Sequence, residues 1–234
     1  MNLSVSVDRT DPTSTRTRTR TRLGALALAA AGVLFVLYPA VRPWHDETTV
    51  DGATASMSSG AWVASHLFAM LGFVLVPLGL LALWGTIRAA HEASGHSRAE
   101  SYGLGAVVTG WTGAGLTLPY YGAEDFGLHA VARAGADGQR LDLLALADSV
   151  RFHPVAATTF ALGLLLLAVA GILAALAVRH AGTLARHSAV PFAAGFVLFL
   201  PQFFAPAGLR IAHGVLVGLG SAWLAWELWR TDPR

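Results

Sequence analysis

The stretch AWVASHLFAMLGFVLVPLGLLALWG, residues 61–85, decides the fold. It holds no Asp, Glu, Lys or Arg, and His66 is its one titratable side chain. A helix needs roughly 20 predominantly apolar residues to cross the hydrocarbon core of a bilayer. This stretch is longer than that. Working outward, five more apolar runs can be drawn at 23–41, 103–121, 155–178, 189–205 and 208–229. The sequence predicts an all-α, polytopic integral membrane protein, a six-helix bundle over 23–230. Residues 1–22, polar and rich in Thr and Arg, read as a disordered tail because they cannot bury enough apolar surface to fold. The first apolar run reads as a retained anchor, since five more follow it.

Composition agrees. The chain is 54% hydrophobic and 13% charged, with mean hydropathy +0.55. Soluble domains average about 25% charged residues, so charge is roughly halved here. Cysteine is absent, which excludes disulfides, thiol chemistry, Cys-ligated zinc and iron–sulfur clusters. All 16 basic residues are Arg, which excludes a lysine Schiff base. Arg in place of Lys, with abundant Ala and Gly, points to a bacterial plasma membrane. A net charge of +2, with Arg concentrated in the tail, offers no nucleic-acid surface.

The excess of Arg near span ends marks the cytoplasmic side. The tail, Arg88 and Arg98 in 86–102, Arg179 and Arg186 in 179–188, and Arg230 form one set. They alternate with 42–60, 122–154 and the turn near Pro206, which carry most of the acids. Both termini are therefore expected to be cytoplasmic. Trp44, Trp62, Trp84, Tyr120, Tyr121, Trp226 and Trp229 fall near expected interfaces, where amphipathic rings prefer to lie. Gly110 and Gly113 in the third span, and Gly214 and Gly218 in the sixth, allow close helix approach. The span 189–205 is short and carries Pro191 and Pro201.

Threaded this way, the costly residues gather on the outer side. Ionisable groups at membrane depth usually mark a site. His66 and His213 lie at similar depth on separate helices. His153 stands at the mouth of the fourth span, and Arg210 shares a face with His213 at i, i+3. Glu124, Asp125 and His129 follow the third span directly. If that segment is helical, Tyr121, Asp125 and His129 fall on one face.

Imidazoles ligate zinc, copper and haem iron. The pattern therefore allows His66, His153 and His213 as metal or haem ligands, with Arg210 holding an anionic head or a propionate. Glu124, Asp125 and His129 are candidates for acid–base catalysis. The cofactor, haem or a divalent metal, is left open. The function expected is a membrane-embedded enzyme or redox protein acting on a lipid-soluble substrate. The alternatives are a small-molecule or proton-coupled transporter and a non-catalytic subunit of a membrane complex. The lipid bilayer is the one partner expected outright; a homo-oligomer or a complex is open. His91 and His96 are spaced i, i+5, not the i, i+4 that puts two ligands on one helix face. They read as a solvated loop.

Overall fold

The computed structural model describes residues 12–91 and 97–231, with side chains from Thr17 onward. His96, paired with His91 in the sequence reading of a solvated loop, lies outside the described residues. Helix is the one regular structure among the described residues, with no strand. The helices are α1 (Pro12–Val41), α2 (Val50–Met57), α3 (Gly60–His91), α4 (Arg98–Gly122), α5 (Leu128–Ala136), α6 (Leu143–Arg151), α7 (Pro154–Ala181), α8 (Val190–Val197) and α9 (Ala207–Arg230). A π turn, Ala123–Gly127, joins α4 to α5, and a 3-10 turn, Pro201–Phe204, follows α8.

Local chemistry sets several of these boundaries. Thr49, Ser97 and Asp142 each cap a helix by accepting from a backbone N–H of the first turn, the donors a helix start leaves unpaired. Pro154 occupies the first position of α7, where a missing N–H costs nothing. Gly182, at φ 68°, ends α7 in the left-handed conformation that glycine adopts without strain.

Four helices are long and apolar enough to cross a membrane: α1 from Thr17, α3, α7 and α9. The six-helix bundle expected from sequence is therefore corrected to four apolar spans with two further segments. One is α4, which has the length but is diluted by Gly, Thr and Tyr. The other is 189–205. Pro201 cannot donate a backbone hydrogen bond, and the helix stops at Val197. The 15 residues from Val190 to Phe204 reach about 22 Å at helical rise, short of the ~30 Å hydrocarbon core.

The six long segments nonetheless close a ring. α1 packs on α3 and α9, α3 on α4, α4 on α7, α7 on α8, and α8 on α9. Small residues make the tightest seams. A Cβ on Gly214 would lie 2.7 Å from the carbonyl oxygen of Phe35, and one on Gly113 would lie 2.7 Å from that of Gly163. At the termini, Arg22 stacks over Trp229 at 5.2 Å, and the Thr21 and Thr86 hydroxyls meet at 3.2 Å. The starts of α1 and the end of α9 thus share one end of the ring. α1 starts at Pro12, so residues 12–22 continue it as helix.

The centre of the ring is aromatic. Phe35, Phe73, Phe196 and Phe199 are each at most 1% exposed. Phe73 meets Phe35 at 5.1 Å and Phe199 at 5.2 Å, between ring centroids. The end away from the termini carries a cap of short helices, α2, α5 and α6. Its own small core is Ala53, Met57, Trp62, Leu128, Ala132, Leu143 and Ala147. Trp62 is fully buried, so its ring packs inside the cap and does not face lipid. Its indole N–H donates to the Glu124 carbonyl at 2.9 Å, tying α3 to the π turn.

Candidate functional site

Between the aromatic centre and the cap lies a cavity of about 440 Å³. α1, α3, α4, α7, α9 and the turn after α8 all contribute to its lining. Part of that lining is charged or phenolic: Tyr38, Arg42, Glu47, His66, Tyr120, Tyr121, Glu124, Arg151 and Arg210. The rest is apolar, from Phe152 and Ala157 to Leu200, Phe203 and Phe204. Phe152 and Phe204 are 72% and 88% exposed, so they form the rim.

The charged part of the lining is a chain of ion pairs. Arg42 Nη2 donates to Glu47 Oε1 at 2.6 Å. Arg151 Nη2 donates to Glu47 Oε2 at 2.8 Å, and Arg151 Nε to Glu124 Oε1 at 2.7 Å. One guanidinium thus bridges two carboxylates from different connections. Burial opposes the charge on Arg151, but Glu124 and Glu47 outweigh it and hold its pKa above the usual arginine value. Arg42 and Arg151 also lie over the face of Trp62, at 5.0 and 6.0 Å. Trp62 therefore supports this lining as well as the cap.

The structure distributes the expected site residues over three places. His66, Glu124 and Arg210 line the cavity. His66 is 4% exposed. Its Nδ1 lies 2.8 Å from the carbonyl oxygen of Trp62. A carbonyl only accepts, so Nδ1 carries the proton and Nε2 of the neutral ring has a free lone pair. The ring is enclosed by Trp62, Tyr38 and Tyr121, at 4.3, 5.8 and 6.0 Å between centroids. Glu124 has both carboxylate oxygens committed to Arg151.

His213 borders a smaller void beside the cavity, with Tyr38, Gln202 and Arg210. Its Nε2–H donates to the Gly195 carbonyl at 2.8 Å, and its ring stands edge-on to Phe199 at 5.0 Å. Asp125 and His129 belong to the cap instead. His129 Nδ1–H donates to the Met57 carbonyl at 2.8 Å. Asp125 is fully buried, and neither carboxylate oxygen has a partner. Burial pushes its carboxyl up to about 6, partly offset by nearby His129. His153 is exposed at the start of α7 and does not line the cavity.

Among the described residues, no three His, Asp or Glu side chains are placed to share a metal ion. No metal centre is therefore shown at His66, His153 and His213. His66 lines the cavity and His213 the smaller void beside it, and His213 packs against Phe199.

Sequence reasoning passed over Tyr38, Arg42, Glu47 and Arg151. A signal existed for two of them. Arg42 and Arg151, like Arg210, stand at span ends on the acid-rich side, where the charge bias of membrane loops disfavours arginine. Such exceptions invite a search for buried carboxylate partners. No protein-family model matches the chain, and no curated protein or solved structure matches it.

Proposed function

We propose that this chain is a bacterial plasma-membrane enzyme. Its cavity, on the outer face, takes in a lipid-soluble molecule and His66 moves a proton at that molecule's polar end. The observation carrying this reading is the mixed lining of the cavity. Phe and Leu side chains, two of them at the rim, share it with paired charges and one buried imidazole. A pocket of this size and make-up is typical of small-molecule sites. His66 is fixed in one tautomer by Trp62, as a proton carrier must be. Glu124 acts through Arg151, which it positions.

A carrier that alternates access needs a polar path at mid-depth. Here the layer beneath the cavity is the packed cluster of Phe35, Phe73, Phe196 and Phe199. That favours a one-ended site over a route across the membrane.

The test is turnover of host lipid. Wild type and His66→Gln, both in nonionic micelles, are incubated with a total lipid extract of the host membrane, and the species are followed by mass spectrometry. Wild type should deplete one lipid class. His66→Gln should do so at least about 100-fold more slowly, the usual contribution of a positioned general base. Identical lipid profiles for both proteins and a protein-free control would refute the enzymatic reading.

A further inference from the structure

Three buried side-chain atoms at this cavity and the small void beside it lack a hydrogen-bond partner among the described residues: Arg42 Nε, Tyr121 Oη and Gln202 Nε2. All three can donate, whereas the two carboxylates of the lining, Glu47 and Glu124, already accept from arginine. Tyr121 is 2% exposed and Gln202 7%, so water does not readily satisfy them. A buried donor without an acceptor is costly, and a native fold that keeps several in one place has usually reserved them for something.

Charge points the same way. The lining holds three guanidinium groups, Arg42, Arg151 and Arg210, against two carboxylates, Glu47 and Glu124. The carboxylates are consumed by Arg42 and Arg151. Among the described residues, Arg210 pairs with no carboxylate. Its Nε donates to Gln202 Oε1 at 3.1 Å, and its guanidinium is braced over Trp44 at 4.9 Å and Phe203 at 5.2 Å. That bond orients the Gln202 amide so that its NH2 stays free as a donor. One positive charge and a set of donors are thus uncompensated beside apolar lining.

We infer that the cavity binds an amphiphile with a singly charged oxyanion head, a fatty carboxylate or an alkyl phosphodiester. The head lies against Arg210 and Tyr121, and the chain leaves past Phe152 and Phe204. This rests on the reading of the cavity as a site for a lipid-soluble molecule, and it adds the charge and class of that molecule. Two short-range features fit the class. Arginine forks match oxyanions in geometry as well as charge. The exposed phenylalanines give an apolar chain a continuous route from the cavity to surrounding lipid.

The experiment measures affinity of the full chain in nonionic micelles for hexadecanoate, methyl hexadecyl phosphate, hexadecanol and acetate. At least one of the two anionic amphiphiles should bind saturably and about 10-fold or more tighter than hexadecanol. Acetate should not compete at the same concentrations. Arg210→Gln should weaken anion binding about 10- to 100-fold, the range of a charge-assisted hydrogen bond, and should leave hexadecanol unchanged. Tyr121→Phe removes a buried hydroxyl that has only Tyr38 beside it, keeps the ring packing, and should weaken anion binding about 5-fold while leaving hexadecanol binding unchanged. This variant keeps the proposal testable if Arg210→Gln does not fold. Equal binding of hexadecanol and both anions would overturn the oxyanion head while leaving a lipid-binding cavity. Acetate binding as tightly as hexadecanoate would overturn the amphiphile. No binding by any of the amphiphiles would overturn both this inference and the cavity reading beneath it.

Discussion

Asp125 shows how much a single side chain can record. It lies in the π turn between α4 and α5, beyond the apolar 103–121 stretch, fully buried with both oxygens unpartnered. Its carboxyl is pushed up to about 6 by burial. An unfolded aspartate titrates near 3.9, so the folded chain holds this proton more tightly. Stability from this group is then full below about pH 4 and is lost as pH rises through about 6. Asp125→Asn should raise the thermal midpoint at pH 8 and leave it unchanged at pH 4, as scanning fluorimetry across that range would show. A constant difference at every pH would mean the carboxyl titrates normally. At this scale the sequence showed His66, Glu124 and Arg210, because ionisable residues beside apolar runs stand out. It did not show that Arg151 joins Glu47 to Glu124, since residues 104 and 27 positions away meet only after the cap folds. It also placed Asp125 and His129 among the catalytic candidates by helical spacing, a rule that says which face two residues share and not what that face meets.

At the scale of helices, the fold depends on close seams. α4 and α7 approach so nearly that a Cβ on Gly113 would lie 2.7 Å from the Gly163 carbonyl oxygen and 2.9 Å from the Leu167 backbone nitrogen. Backbone atoms cannot move aside as a side-chain tip can. Gly113→Leu should therefore destabilise the protein by about 2 kcal/mol or more. It should also disturb the cavity, because Tyr120 and Phe160 stack across this same seam at 4.2 Å. Denaturation in mixed micelles checks the first effect, and an unchanged midpoint would contradict it. The apolar helices α1, α3, α7 and α9 were readable because long apolar runs admit few other structures. The cap helices α2, α5 and α6 were not. They are 8 or 9 residues long, too short to be stable alone, and they exist because Trp62, Met57 and Leu128 give them a shared core. The segment 189–205 failed as a span for the reason its prolines suggested, yet it still lies antiparallel to α9. Gly195 meets Val217, and Phe199 meets His213.

At the scale of the molecule, the ring of helices is filled by aromatic rings in the middle, anchored by Thr21, Thr86 and Arg22 at one end, and opened by the cap at the other. At the capped end this leaves a cavity with charged lining and an apolar rim, on which the proposed lipid-soluble anion rests. A fatty acid bearing a photoreactive diazirine near the chain end tests this most directly. The probe is crosslinked to the full chain in micelles or membranes, and the labelled peptides are mapped. Labelling should concentrate on Phe152, Phe203, Phe204 and the first turns of α7. It should saturate with probe, be displaced by unlabelled hexadecanoate, and fall in Arg210→Gln. Labels scattered over the outward-facing leucines of α3 and α7, unsaturated and indifferent to Arg210→Gln, would contradict the account.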